Sequence, residues 1–162
     1  MSNDAKAVMT IDIQTYVRNA VAASRAKSLA ESDQLTLGEL ILKIKPIVIK
    51  QAAIIEIYKH EAQVVYDFEH LFPTAIDSWR GSYSELALDF KAEGESMKIT
   101  DFLAMLESTV GKEFTGYKGG EFIMSRQTPV WVANYGNSGN TAVIDVVDNE
   151  YEVILITGRR EY

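Results

Sequence analysis

Three short stretches combine aromatic rings, positive charges and glycine, the residue types that hold a flat anionic molecule such as a nucleotide. They are SWRGSY at 78–83, GYKGGEF at 116–122 and SRQTPVWVANYG at 125–136. Aromatic rings stack on bases, Arg and Lys neutralise phosphates, and glycine lets backbone amides approach an anion closely. We therefore predict a ligand-binding site, without catalysis, formed by Trp79, Arg80, Tyr83, Tyr117, Lys118, Arg126 and Trp131.

The same three stretches also have a purely structural interpretation. Aromatic residues are common in strands, and glycine is common in turns. GYKGGEF is then a hairpin in which residues 118–121, Lys-Gly-Gly-Glu, form the turn between Tyr117 and Phe122. The ligand hypothesis requires the three stretches to converge around one concavity, and both interpretations stay open at this point.

Residues for catalysis or metal binding are few. The chain contains no cysteine, which excludes thiolate catalysis and cysteine-ligated zinc. Its two histidines are His60 and His70, and Glu56 lies one helical turn before His60 without a third ligand at metal-binding spacing. No phosphate-binding or nucleophile motif is present. The sequence favours a protein without catalysis and without a metal or cofactor, and an enzyme stays open as a third function class.

The charge is concentrated in the middle of the chain. The formal net charge is −7, and residues 61–110 carry 3 Lys/Arg against 10 Asp/Glu. Such an acidic field repels nucleic acid, so we expect no direct DNA binding. It could instead oppose a basic surface of another protein. The alternative function is therefore a protein-binding inhibitor whose contacts include Asp67, Glu69, Asp77, Glu85 and Asp89.

The first third of the chain is predicted to be helical. Apolar residues recur near helical spacing between residues 10 and 30. Residues 1–34 are interpreted as a helical arm that favours a homo-oligomer, and a surface helix of the domain is the alternative. Thr36 and Glu39 form a capping-box pattern that predicts a second helix start. Pro46 is expected to end or kink that helix, and IVIKQAAIIEIYKHE is assigned as helix despite its β-branched residues.

The remainder alternates mainly between strand patterns. One inserted helix, ITDFLAMLESTVG, is expected to be capped by Thr100 and to stop at Gly111. Strands are predicted at 63–68, 82–90, 113–117, 121–125, 129–135, 141–147 and 151–157. Helices followed by a mainly antiparallel sheet with one inserted helix predict an α+β fold. Residues 35–162 are expected to form a single α+β domain.

Two pairs of segments suggest a weak internal duplication. LTLGELILKI at 35–44 is similar to ITDFLAMLES at 99–108, and SWRGSYSELALDF at 78–90 can be aligned with NYGNSGNTAVIDV at 134–146. A duplication would make Trp79 and Tyr135 equivalent. Chance similarity is the alternative.

Three segments together also support a resemblance to known proteins. FPTAIDSWRGSYSELALDF, ITDFLAML and GYKGGEFIMSRQTPVWVANYG resemble small uncharacterised proteins encoded by bacteriophages, over roughly residues 35–147. The resemblance implies a counter-defence context, in which the protein sequesters a signalling nucleotide or occupies a host protein. With no signal-peptide pattern and no long apolar run, we expect it in the host cytoplasm and not in a membrane.

Overall fold

The computed structural model describes residues 34–69, 71–77, 86–89, 93–115, 119–133 and 141–159. These residues form two helices and eight strands. In chain order they are α1 (Leu37–Tyr58), β1 (Gln63–Tyr66), β2 (Ile76–Asp77), β3 (Leu86–Leu88), α2 (Ile99–Thr109), β4 (Glu113–Thr115), β5 (Glu121–Ile123), β6 (Val130–Val132), β7 (Thr141–Asp148) and β8 (Glu152–Arg159). The predicted arm at 1–34 lies outside the described residues except for Gln34.

The start of α1 confirms the capping box. The Thr36 hydroxyl accepts from the backbone N–H of Glu39 at 3.3 Å, and the Glu39 carboxylate accepts from the N–H of Thr36 at 2.8 Å. These reciprocal bonds satisfy two amides that have no partner inside the helix. Four apolar side chains of the first turns then enter the core: Leu37, Leu40, Ile41 and Ile44.

Pro46 does not end α1, which continues to Tyr58 as the assignment of IVIKQAAIIEIYKHE required. Proline removes the N–H that would bond the carbonyl four residues earlier, here that of Leu42. Leu42 is 67% exposed, so water can reach this part of the helix and reduce the cost of the lost bond. The helix finally stops where Lys59 adopts the left-handed conformation, at φ 54°.

The start of α2 differs from the prediction. Its N-cap is Lys98, which makes no side-chain capping bond, and Thr100 lies inside the helix. The capping acceptor comes instead from Glu61, whose carboxylate bonds the N–H of Thr100 at 2.9 Å and also its hydroxyl. An acidic side chain at this end of a helix also interacts favourably with the helix dipole.

The described strands confirm the α+β fold. Six form one sheet in the order β1-β8-β7-β6-β3-β2, and β4 and β5 form a separate hairpin. Three of the five pairings in the six-stranded sheet are antiparallel, whereas β1–β8 and β3–β6 are parallel. The sheet is therefore mixed. Its first strand in the sequence, β1, pairs with the last strand in the sequence, β8.

Both helices lie on one face of this sheet. Their buried residues, including Leu40, Ile41, Phe102 and Leu106, share a core with alternate residues of the central strands such as Val130 and Leu155. Among the described residues, no helix is both long and apolar enough to cross a bilayer.

The two helix starts share one feature that bears on the predicted duplication. Each N-cap residue makes an isolated antiparallel bridge to another segment, Thr36 with Pro129 and Lys98 with Gln63. Trp79 and Tyr135 lie outside the described residues, so the duplication stays a prediction.

Candidate functional site

Trp131, predicted to stack on a ligand, lies in β6 and is 4% exposed. Its neighbours on the sheet face opposite the helices are Ala142, Ile144, Ile154 and Ile156. A ring in this position contributes to packing, and a ligand could reach it only if the surrounding side chains moved.

Arg126, a predicted phosphate ligand, is exposed in the turn between β5 and β6. Its backbone carbonyl accepts from the N–H of Gly38 at 2.8 Å, and a Cβ added at Gly38 would lie 3.0 Å from the Cβ of Arg126. Arg126 therefore lies beside α1, whereas Trp131 faces away from the helices.

The start of α1 next to Arg126 offers few free amides to an anion. The N–H of Leu37 donates to the Thr128 carbonyl at 2.8 Å, and that of Gly38 donates to Arg126. The next N–H, that of Glu39, is bonded by the Thr36 hydroxyl. Helix starts bind anions through unsatisfied amides, and these three are satisfied.

The other five predicted ligand residues are Trp79, Arg80, Tyr83, Tyr117 and Lys118, which lie outside the described residues. Convergence around a common concavity is therefore not tested, and the ligand-binding site stays a prediction.

Asp89, from the predicted acidic surface, holds a neighbouring loop in place. Its carboxylate accepts from the N–H and hydroxyl of Thr74 and, at 2.8 Å, from the N–H of Ala75. Its carbonyl accepts from the Tyr66 hydroxyl at 2.6 Å. Burial of Tyr66, together with the nearby charge of Asp89, raises the pKa of this phenol well above its ordinary value of 10.0.

Asp67 has a similar structural role at the end of β1. Its carboxylate accepts from the Thr157 hydroxyl at 2.7 Å and from the Thr157 N–H at 3.1 Å, which ties β1 to β8. Glu69 and Asp77 are exposed, and Glu85 lies outside the described residues. Of the four described carboxylates, Asp67 and Asp89 thus hold neighbouring segments in place and Glu69 and Asp77 lie at the surface.

A surface that the sequence patterns did not single out lies along α1. Five exposed apolar residues share one side of this helix, and we call them the α1 stripe: Leu42, Pro46, Ile49, Ala53 and Ile57. Their spacings of 4, 3, 4 and 4 residues keep them in line over four helical turns, about 22 Å long. The three large side chains, Leu42, Ile49 and Ile57, are 67%, 76% and 71% exposed.

The second half of α1 carries much of this surface. Gln51 is the last buried residue of the helix, and no side chain from Ala52 to Tyr58 is buried. Tyr58 is 73% exposed and Tyr151, on the adjacent β7–β8 turn, is 67% exposed. The large β-branched residues of IVIKQAAIIEIY were the available signal, because one helical face cannot bury them all against a single core.

His60 and Glu56, considered above as metal ligands, form no such site. The His60 ring lies 5.5 Å from the Tyr151 ring, centroid to centroid, in a tilted arrangement. The described part of the chain contains no group of three His, Asp or Glu side chains that could hold a metal ion.

No family model, no curated protein and no solved structure matches the chain.

Proposed function

We propose that this protein is a non-enzymatic, protein-binding protein that works as a homodimer, joined through the α1 stripes of two copies. The exposure of Leu42, Ile49 and Ile57 in a single line carries the proposal. A continuous apolar surface of this kind on an otherwise charged protein is typical of protein association sites. Burying each of these partly exposed side chains would contribute about 1–2 kcal/mol.

The pattern of the stripe favours a second copy as its occupant. If two α1 helices cross antiparallel between Ile49 and Lys50, then Leu42 of one copy lies opposite Ile57 of the other, and Pro46 lies opposite Ala53. The surface is therefore complementary to itself under a two-fold axis, as an isologous dimer requires.

Charges beside the stripe support the same arrangement. Lys45 and Glu56 are 11 residues apart, which places them about 20° apart around the helix, on the same flank. In the antiparallel pair, Lys45 of one copy lies about 3 Å along the axis from Glu56 of the other. Opposite charges would meet twice on this flank, where Lys45 also pairs with Glu107 of its own chain at 3.0 Å. On the other flank Lys50 of each copy lies near the two-fold axis and is paired with Asp148 of its own chain at 3.3 Å.

A concentration series in the analytical ultracentrifuge tests this proposal. We expect the wild-type chain to sediment increasingly as a dimer, and Ile49→Glu, which buries two charges per dimer, to weaken association at least about tenfold. Ile123→Glu is the matched control, because Ile123 is 66% exposed but lies on the β4–β5 hairpin. A wild-type monomer at all concentrations, or an Ile49→Glu variant that associates like the wild type, would overturn the proposal.

The resemblance to phage-encoded proteins supports a wider proposal about context. The dimer would occupy a host protein and would use exposed carboxylates such as Glu69 and Asp77 for the contact. Binding of a nucleotide-like anion by Arg80, Lys118 and the neighbouring rings is kept as a separate proposal, with its own test in the Discussion.

A further inference from the structure

The sheet has a second apolar face, opposite the helices, which we call the far face. It consists of Val65, Trp131, Ala142, Ile144, Val147, Ile154 and Ile156. The side chains alternate along the strands: Val153 and Leu155 of β8 face the helices, whereas Ile154 and Ile156 face the other way. A sheet with two apolar faces requires a layer on each of them.

The far face is buried, although no described helix covers it. Trp131, Ile144 and Ile154 are 4%, 6% and 9% exposed, and Ala142 and Ile156 are fully buried. Within the described ranges, the apolar residues packed against this cluster come from the sheet itself, whereas α1 and α2 contribute to the opposite core. Because these are the exposures of a single chain, the cover comes from elsewhere in the same chain.

Leu35 lies in the plane of the sheet, and its side chain packs into the core on the helix side. The N–H of Leu35 donates to the Val143 carbonyl at 2.9 Å, and the Leu35 carbonyl accepts from the N–H of Val130 at 3.0 Å. The Gln34 side chain donates to the Val130 carbonyl at 2.8 Å. Gln34 and Leu35 thus lie between β6 and β7, the strands that carry Trp131 and Ile144.

We propose that the N-terminal segment, residues 10–30, packs as an amphipathic helix across the far face of its own chain. As a helix its 21 residues would be about 31 Å long, enough to cross four strands spaced about 4.8 Å apart. Ile13, Val17, Ala20 and Val21 would face the sheet, and their modest size suits close packing over the Trp131 ring. The fold then has three layers, with the sheet between two layers of helix.

The difference in burial between the α1 stripe and the far face indicates which of the two the N-terminal segment covers. The side chains of the α1 stripe are exposed, whereas those of the far face are buried. The N-terminal segment therefore covers the far face and leaves the α1 stripe for a second copy. The position of Gln34 between β6 and β7 is consistent with this, because the path from Gln34 to the far face is short.

Trp131 provides the first test. Trp79→Phe leaves Trp131 as the single tryptophan, and in this background Val17→Asp with Val21→Asp would place two charges against the sheet. We expect a red-shifted emission and a several-fold rise in acrylamide quenching. The control, Asn19→Asp with Ala22→Asp, adds the same charges on the opposite side of the predicted helix and should change neither. Unchanged quenching in the Val17/Val21 variant would overturn the proposal.

A crosslink provides a second test that does not depend on a destabilised variant. Because the chain has no cysteine, Val17→Cys with Val147→Cys introduces one unique pair, which a short thiol-reactive crosslinker can join. The experiment is made in the Ile49→Glu background, so that failure of the α1 dimer and failure of this inference are distinguishable. We expect an intramolecular link at monomer mass. A link at dimer mass would identify a second copy as the source of the cover, and no link would indicate another cover; either result overturns the proposal.

Discussion

The side chain of Gln51 in α1 donates a hydrogen bond to the backbone carbonyl of Glu150, 99 positions later, at 2.8 Å. Its amide oxygen also accepts from the N–H of Ala62 at 3.4 Å. Gln51 is completely buried, so it connects α1, the β7–β8 turn and the start of β1 inside the protein.

Replacing Gln51 should therefore destabilise the fold. Gln51→Leu removes both bonds and leaves a carbonyl and an N–H without their partner, which we expect to lower the free energy of unfolding by about 1–3 kcal/mol. Urea denaturation measures this change. Gln127→Leu, at an exposed turn position, should stay within about 0.5 kcal/mol of the wild type. Equal stabilities for the two variants would contradict the role given to Gln51.

Tyr66 should make the protein sensitive to alkali. Its pKa in the folded protein lies above the unfolded value of 10.0, so the neutral phenol is favoured by folding. This stability is fully present below about pH 10 and is lost as the pH rises further, because the unfolded chain then releases the proton more readily. Urea unfolding at pH 8 and at pH 11 should show a smaller alkaline loss for Tyr66→Phe than for the wild type.

The control for Tyr66 is Tyr151→Phe, which changes an exposed phenol. This variant should follow the wild-type pH dependence. If Tyr66→Phe also follows it, Tyr66 does not contribute to the alkaline loss of stability.

Glu61 should stabilise α2 although it lies outside that helix. Glu61→Ala removes the acceptor for the N–H of Thr100, and the loss of a helix cap costs about 1 kcal/mol. Glu61→Gln retains an acceptor oxygen and should recover part of the loss. Urea midpoints of the two variants measure the difference, and a wild-type midpoint for Glu61→Ala would refute the capping role.

Asp89 should affect stability more strongly than an exposed carboxylate. Asp89→Ala removes the acceptor of three hydrogen bonds from Thr74 and Ala75, which we expect to cost about 3 kcal/mol. Glu95→Ala, at an exposed position, is the control. Thermal unfolding of both variants distinguishes them, and similar melting temperatures would argue against the anchoring role.

This expectation for Asp89 also affects how partner binding is tested. A charge reversal at Asp89 would destabilise the 74–75 loop, so a loss of binding would not identify a contact. Glu69 and Asp77 are exposed and are the better positions for that experiment.

The nucleotide hypothesis predicts a thermal shift. A ligand that binds only the folded state raises the melting temperature by mass action, so a panel of nucleotides and cyclic nucleotides should contain at least one that stabilises the wild-type chain. Arg80→Ala with Lys118→Ala should abolish that shift and leave dimerisation unchanged. A panel without any shift would count against the hypothesis.

The local elements were predictable because their signals lie within a few residues. The capping box joins Thr36 and Glu39, three positions apart, and the strand alternation has a period of two. Gly111 has φ +81°, a conformation that favours glycine, and it lies just past the end of α2 as predicted. These interactions need no knowledge of the rest of the fold.

The predicted site residues could not be sorted in the same way. Trp131 and Arg126 lie five positions apart, yet Trp131 is buried as part of the far face and Arg126 is exposed beside α1. A strand pattern predicts which residues share a face, but both faces of this sheet are apolar. Whether an aromatic ring such as Trp131 packs in the protein interior or is available to bind a ligand depends on what covers its face of the sheet.

Contacts between segments that are far apart in sequence could not be predicted either, because local patterns do not indicate which segments meet. The parallel pairing of β1 with β8, the cap from Glu61 and the bonds of Asp67 and Asp89 join segments that the chain order does not bring together. The exposure of the α1 stripe is a further case, since local spacing defines a helix but not how much of its surface the core can cover. Short-range hydrogen bonds and side-chain periodicity are determined by residues close together in the sequence. Burial depends on which distant parts of the chain come into contact in the folded protein.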